Sequence, residues 1–474
     1  MMKIALFIPE LFLLFSCLLI FLVTLREKDG RQARDLTTAL AVLNVLITLS
    51  GLGLEGDLFF GAYRLDLFSQ LFKLLIGAGL LAVLLVGREL KGINAEVRAE
   101  YYLFLLLSTL GLVMLVSSVE LLTIFVSLEL SSFALYLLVP MRDDRTGVRF
   151  QMEAAIKYLL FGVMATGVML YGMSYLFGLT GTTYLSALVP ALLQIGPTPA
   201  AVVGVAMVMA GFFFKLGLFP FHFWLPDVYQ GASNETTTFI ASVPKLGAVA
   251  LLIRLALLAE PSGAVLVNLL TVLAVASMFY GNLIALVQKD IKRMLGFSGI
   301  AHAGFVLLGI ITFRDAGYAS AIYYIIGYMV MILACFLVIC KVSRHGENLT
   351  ISDLAGLHKR APILALTLTV GMFALAGIPP FVGFMGKFML LAGALQAGHL
   401  PLVILAAINT AIAIYYYLSV VRISYCSDPE QRPAVEVDFT TKAVSVVLML
   451  AIIIMGVVPQ GVVEIATAAV RIIR

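Results

Sequence analysis

Five lysines, Lys73, Lys157, Lys215, Lys245 and Lys387, lie inside apolar stretches long enough to cross a bilayer. An ammonium at mid-membrane costs roughly 3 kcal/mol on insertion scales, so a lysine kept there faces a polar interior and has a use in it. Lys215, in GFFFKLGLFPFHFW, stands one turn before Pro220, whose missing N–H is expected to free a backbone carbonyl near the ammonium. Lys245 follows Pro244 directly, and Lys387, in GIPPFVGFMGKF, comes two turns after Pro379 and Pro380. For these three the structural alternative is a cation held by freed carbonyls and water to steady a kink. Lys73 is near enough to the end of its span to snorkel to the interface. Lys157 follows Glu153 at i+4, where an intrahelical ion pair is expected.

The acidic counterpart is Glu129, in the middle of LLTIFVSLELSSFALYLL. A lone carboxyl at that depth stays protonated, whereas a nearby lysine favours its charged form, and the pair can exchange a proton between them. A desolvated ammonium gives up its proton more readily than one in water, so a row of such groups bridged by water is a proton relay. His302, in LGFSGIAHAGFVLLG, is placed to pass a proton between Lys245 and Lys387; bonding to a helix carbonyl is the structural alternative. His222, beside the interrupted stretch at Pro220, could link the relay to the cytoplasm or sit at the interface. The five histidines have no ligand spacing, so no metal site is indicated. Cys17, Cys335, Cys340 and Cys426 show no CxxC pattern and suit neither an iron–sulfur cluster nor a disulfide framework. The GxGxxG at Gly51, Gly53 and Gly56 lies in a turn between membrane spans with no strand before it, which excludes a dinucleotide fingerprint.

Composition fixes the elements that must position these groups. Hydrophobic residues make up 62% and charged ones 12%, against about 45–50% and 25% in soluble domains, so the chain is an all-α polytopic membrane protein. The ~20-residue spanning criterion predicts about fourteen transmembrane helices. They fall at 4–25, 36–54, 66–87, 100–118, 120–140, 153–178, 200–218 continuing brokenly to 231, 235–258, 263–287, 295–313, 318–342, 363–396, 400–423 and 440–460. The opening stretch from Met1 to Leu25 reads as the first of these rather than a cleaved signal, having no small-residue cleavage site. The seventh span, with Pro220 and Pro226, and the twelfth, with Gly377, Pro379 and Pro380, should each be broken. Two interruptions five spans apart suggest two inverted five-helix repeats. The expected organisation is residues 1–99 for helices 1–3, 100–258 and 259–425 for the two bundles, and 426–474 for helix 14 and a tail.

Of 31 Lys and Arg, about 20 fall in loops after odd-numbered spans, among them Arg26, Lys28, Arg31, Arg34, Arg88, Lys91, Arg98, Arg142, Arg145, Arg149, Lys292, Arg293, Lys341 and Arg344. Even-numbered loops hold Arg64, Arg254 and Arg314. This asymmetry puts the odd loops in the cytoplasm and both termini on the periplasmic side of a bacterial plasma membrane. The loop at 219–235 carries no Lys or Arg and, being largely apolar, should fold back into the protein. The net charge of +4 is this orientation signal rather than a nucleic-acid footprint.

In order along the chain, SLELSSFALYLL, EAAIKYLLFG, FFFKLGLFPFHFWLPDVYQGA, SVPKLGA, KRMLGFSGIAHAGF and GIPPFVGFMGKF resemble the antiporter-like membrane subunits of respiratory complex I and of Mrp-type cation/proton antiporters. The resemblance covers essentially residues 1–460. Within the family, Lys387 rather than a glutamate in the second broken helix, and the end of the chain soon after the fourteenth span, point to the subunit N branch of bacterial NADH–quinone oxidoreductase. The resemblance implies that Glu129 and Lys215 couple the subunit to its neighbour, that Lys245 is the central relay, and that Lys387 is the terminal site. It further implies antiporter-like subunit M, small membrane subunits and the lipid bilayer as partners, no nucleic acid, no cofactor in this chain, and FMN, iron–sulfur clusters and quinone in partner subunits. An Mrp-type antiporter subunit and a membrane scaffold with a purely structural charge axis are the other readings, and the axis suits proton or sodium alike.

Overall fold

The computed structural model describes residues 5–27, 29–143, 150–259, 263–429 and 432–473. Lys28, Arg145 and Arg149 of the charge asymmetry lie outside them. In chain order the helices are α1 (Ile8–Thr24), α2 (Arg31–Ser50), α3 (Leu67–Val86), α4 (Arg98–Ser117), α5 (Leu121–Leu138), α6 (Phe150–Thr180), α7 (Leu185–Ile195), α8 (Pro199–Leu216), α9 (Trp224–Gly231) and α10 (Asn234–Ala259). They continue as α11 (Gly263–Ala285), α12 (Ile291–Ile311), α13 (Asp315–Val342), α14 (Leu357–Arg360), α15 (Pro362–Ala376), α16 (Val382–Gln396), α17 (Leu400–Cys426), α18 (Phe439–Val457) and α19 (Gln460–Ile473). An antiparallel hairpin of β1 (Gly56–Leu58) and β2 (Tyr63–Leu65) joins α2 to α3, with Asp57 opposite Arg64.

Among the described residues, 12 helices are long and apolar enough to cross a membrane. The expected total of fourteen is not reached by this measure. Helix α1 has 17 residues, and the twelfth span is divided into α15 and α16 of 15 residues each. Three helices were not foreseen, the single-turn α14 among them. α7 carries Pro190 and buries only Leu188 and Leu192, and α19 turns the expected tail into a helix packed against α13 and α3.

Helices α10, α12 and α13 are enclosed by other helices along their whole apolar spans, as helices hydrophobic on every side must be. Small residues let them pack closely. A Cβ on Gly281 of α11 would stand 2.6 Å from the Phe297 carbonyl of α12, and one on Gly304 of α12 would stand 2.7 Å from the Ala274 carbonyl of α11.

The two predicted interruptions end alike. α8 stops at Gly217 (φ 76°), where the Leu218 N–H donates back to the Phe213 carbonyl at 2.9 Å. α15 stops at Gly377 (φ 85°), where the Ile378 N–H donates to the Phe373 carbonyl at 3.0 Å. A left-handed residue closed by this reverse bond is the glycine-favouring helix terminus, and the prolines beyond prevent resumption on the same axis. After α8 the chain folds back as α9, whose Trp224 ring stacks on Tyr158 and donates to the Phe214 carbonyl at 3.0 Å.

Several charges sit elsewhere than their sequence positions suggested. Lys73 does not snorkel. Its side chain is 1% exposed and its Nζ lies 2.5 Å from a Glu10 carboxylate oxygen, because α1 and the hairpin close over that end of α3. Arg254 is no loop residue but lies inside α10, gripping both Asp66 oxygens at 2.9 and 2.8 Å with both side chains buried. Lys292 is buried in α12 and donates to the Ala232 carbonyl at 2.8 Å, while Arg142 donates to the Gln230 and Gly231 carbonyls at 2.7 and 3.1 Å. Both cations satisfy the carbonyl end of α9, where a helix favours positive charge. Lys157 pairs with Glu153 as expected and also with Asp227, each at 2.7 Å, and Asp227 accepts from Arg293 at 2.6 Å.

Candidate functional site

Enclosure by surrounding helices buries Lys245, His302, Tyr324 and Tyr328 in the interior of the molecule. Lys245 of α10 donates from Nζ to the Tyr328 hydroxyl of α13 at 3.2 Å, and its ammonium lies 4.8 Å from the centre of that ring. His302 of α12 joins two further tyrosines, Nδ1 to the Tyr324 hydroxyl at 2.6 Å and Nε2 to the Tyr417 hydroxyl of α17 at 3.0 Å. An imidazole bonded on both nitrogens by groups that donate or accept can pass a proton from one side to the other without turning its ring. The alternative foreseen for His302, a bond to a helix carbonyl, is not what the ring makes. A cavity of about 10 Å³ lies between Lys245 and His302, also lined by Gly299, Tyr324 and Tyr328. That volume is at the threshold for one water.

Lys387 of α16 reaches back to the break it follows. Its Nζ donates to the Leu375 and Ala376 carbonyls at 3.0 and 3.1 Å, the last carbonyls of α15, and lies 5.1 Å from the Phe305 ring centre. A cation at a helix C-terminus satisfies orphan carbonyls and meets the negative end of the macrodipole. Gly377 makes room for it, since a Cβ there would come within 3.0 Å of the lysine Cδ.

Lys215 differs from this pattern. The carbonyl expected to be freed near it does not reach it: its Nζ is buried and has no hydrogen-bond partner. The reverse bond from Leu218 and the Trp224 indole take the Phe213 and Phe214 carbonyls instead. Glu129 of α5 interacts electrostatically with Lys215, yet no N–O contact within 4.0 Å joins them, and its Oε1 is buried and unpartnered. The two groups are electrostatic neighbours with no direct ion pair between them. His222 is buried between Phe219, Phe223 and Tyr280, ring centroids 5.4, 4.4 and 4.2 Å away, and neither nitrogen finds a partner.

The hydroxyls that complete the cluster, Tyr324, Tyr328 and Tyr417, were not singled out from sequence. The signal available was the YYIIGY run of α13, which sets Tyr324 and Tyr328 one turn apart. Among the described residues no group of three or more His, Cys, Asp or Glu could hold a metal ion. Cys17, Cys335 and Cys340 are free and buried, and Cys426 is free and exposed.

The family described as NADH:quinone oxidoreductase/Mrp antiporter, TM, matches residues 118–413, which span α5 through the first half of α17. A relative from Opitutus terrae named NADH-quinone oxidoreductase subunit N 2 is 53% identical over 97% of this chain and 96% of its own length. The chain belongs to the antiporter-like subunit N family of NADH–quinone oxidoreductase. Subunit N of Nitrosomonas europaea is 37% identical over 98% of the chain and 97% of its own length. Among solved structures, a chain of respiratory complex I from Thermus thermophilus with bound Aureothin superposes with a TM-score of 0.83 at 30% identity, covering 96% of this chain and 98% of that one. A chain of the Mrp complex from Dietzia sp. DQ12-45-1b superposes with a TM-score of 0.86 over 98% and 97% of the two chains, and at 20% identity the likeness is one of fold alone. The sequence-based expectation of the subunit N branch thus agrees with the relatives, and the protein is a multi-pass membrane protein.

Proposed function

We propose that this chain is a proton-translocating membrane subunit of a complex I-type NADH–quinone oxidoreductase, in which protons move along Glu129, Lys215, Lys245, His302 and Lys387. The observation that carries this reading is the pair of buried hydrogen-bonded groups, Lys245 with Tyr328 and His302 with Tyr324 and Tyr417, which face each other across a water-sized cavity and hold exchangeable protons where a purely structural core would be apolar. Redox energy from quinone reduction in partner subunits sets the charge state of the axis. FMN, iron–sulfur clusters and quinone reside in those partners, and the neighbours in the membrane are antiporter-like subunit M and small membrane subunits.

The chemistry of the chain's own residues follows from their seats. A proton lost from Lys215 leaves Glu129 without its opposite charge, so the carboxyl takes up a proton, and reprotonation of Lys215 reverses this. Lys245 passes its proton through Tyr328, the adjoining water-sized space and His302. Lys387, held by the end of α15, is the last station. Residues 100–258 and 259–425 form the two inverted units, and both termini face the side opposite the basic loops, in a bacterial plasma membrane. Identity of 53% to a chain named subunit N favours this reading over an Mrp-type antiporter subunit, which shares the fold.

The test is Lys215→Met in the assembled complex, reconstituted in proteoliposomes. The ratio of protons moved to electrons transferred should fall while the complex still assembles, and Glu129→Gln should behave alike. An unchanged ratio in both variants would refute the relay and leave the charges a structural role.

A further inference from the structure

Outside the central axis, the first three helices hold a second buried charge pair. Glu10 of α1 and Lys73 of α3 are each 1% exposed, with Lys73 Nζ 2.5 Å from Glu10 Oε1. The Tyr63 hydroxyl, at the end of the hairpin, donates to the same Oε1 at 2.6 Å, and Lys73 Nζ lies 5.1 Å from the centre of the Tyr63 ring. Both contacts crowd onto one oxygen. Glu10 Oε2 is buried without a partner, and the ammonium makes no aligned hydrogen bond. An ion pair taken out of water holds its charges only when its remaining donors and lone pairs are satisfied, and this one is not satisfied by protein.

Beside the pair lies a cavity of about 110 Å³ that reaches from Lys73 past Gln70, Thr48 and Ile47 to Leu54. That is room for several waters, whose partners on an otherwise mainly apolar wall are the Lys73 ammonium and the Thr48, Ser50 and Gln70 side chains. It ends at the loop joining α2 to the hairpin, on the face opposite the basic loops. The other charges near the pair are Asp66, which caps α3, and Arg254 of α10, and these are already bonded to each other. From α2 the facing groups are Asn44 and Thr48, and from α4 Ser117, none of which titrates. Arg254 shares α10 with Lys245.

We propose that Glu10, Lys73 and Tyr63 form a second proton-exchanging site, hydrated through this cavity, that takes up and releases a proton on the membrane face bearing the 51–66 loop. The proton moves from Lys73 Nζ to Glu10 Oε1, turning an ammonium–carboxylate pair into an amine and a carboxylic acid. Return of that proton to Lys73 Nζ, the member of the pair that lines the cavity, and its release to cavity water leave an amine beside a carboxylate, and a hydronium from the same water restores the pair. No other reactant is needed, and Tyr63 keeps its own proton while orienting the carboxylate.

The test uses the whole complex in detergent and reads the site without any pumping assay, so that it stands or falls separately from the central relay. Infrared difference spectra between pH 5 and pH 9 should contain a carboxylic C=O band that is lost in Glu10→Gln and retained in Glu129→Gln. The double variant Glu10→Gln with Lys73→Met removes both charges together, so no isolated ion is left in the core, and it should assemble and also lack the band. Thr48→Cys, in a Cys426→Ser background, places a thiol on the buried wall of the cavity and should react with a small polar alkylating reagent supplied from the 51–66 face. A C=O band unchanged by Glu10→Gln, or a Thr48→Cys thiol that stays unmodified, would overturn the proposal and make the pair a dry structural bridge.

Discussion

Gly299 provides a way to disturb the central lysine without touching any titratable group. A Cβ at this position of α12 would stand 2.9 Å from Lys245 Nζ and 3.1 Å from the Tyr328 hydroxyl. Both obstructing atoms are ends of side chains rather than backbone, so Gly299→Ala should leave the helix packing intact and push the ammonium away. Carbon–nitrogen contact needs about 3.5 Å, so the ammonium retreats by roughly 0.6 Å. With the Tyr328 hydroxyl also displaced from its 3.1 Å contact, the Lys245–Tyr328 bond, already 3.2 Å, is stretched to about 3.6–3.7 Å, which is no longer a hydrogen bond. A hydrogen bond to a charged group contributes about 1.5–3 kcal/mol, and 1.4 kcal/mol is tenfold, so the step through Lys245 should slow by about ten- to a hundredfold. The assay is proton movement and quinone turnover in proteoliposomes carrying the whole complex. Tyr328→Phe, which removes the hydroxyl and keeps the ring, should lower the proton-to-electron ratio in the same direction, and combining the two should add little, because both break the same bond. Gly299→Ala with a wild-type ratio and turnover would refute the placing of Lys245 by Tyr328 as part of the relay.

Two further outcomes follow from charges outside that path. Asp66→Asn keeps a good helix cap on α3 but leaves Arg254 buried without its counter-charge, which should cost about 3–5 kcal/mol and show as a lower unfolding temperature of the complex; an unchanged transition would mean that water replaces the carboxylate. At the other face Lys341 joins Glu89 at 2.5 Å and Asp438, just before α18, at 3.4 Å, while Lys91 holds the second Glu89 oxygen at 2.9 Å. Burial pushes the Glu89 carboxyl up, but its bonds to Lys341 and Lys91 outweigh this and hold it below the usual carboxylate range; Asp438 is likewise held low by Thr441 and Lys341 against burial. Folded values below the unfolded ones mean a stabilisation fully present above about pH 4.3 and lost as the pH falls through the lower folded values. Amide exchange over the first turn of α18, corrected for intrinsic rates, should therefore be flat from pH 6 to 9 and rise below about pH 4. A Glu89→Gln complex that rises as steeply on acidification would count against a stabilising role for the Glu89 ion pairs.

The sequence by itself determined the class, most of the membrane spans in their order, the two interruptions and the positions of the central lysines. Each of these is written locally. A bilayer demands long apolar runs with internally paired backbone, proline and glycine break a helix wherever they stand, and an ammonium in an apolar run stands out against its neighbours. What only the tertiary structure decided is who meets whom. Lys73 looked able to snorkel because its distance from the end of α3 is legible, whereas the covering of that end by α1 and the hairpin is not. Arg254 read as a loop charge until Asp66, 188 residues before it, supplied a buried partner. Lys215 and Lys387 both stand beside broken helices, yet only Lys387 is held by the carbonyls of the break, because a tryptophan and a reverse backbone bond claim those beside Lys215. His302 was visible as a lone imidazole in an apolar helix, but the tyrosines that give it two partners come from α13 and α17, 22 and 115 residues away. Residue type and spacing fix what each group can do within its own helix; the packing of distant helices in a solvent without hydrogen bonds fixes which groups are left to do it together.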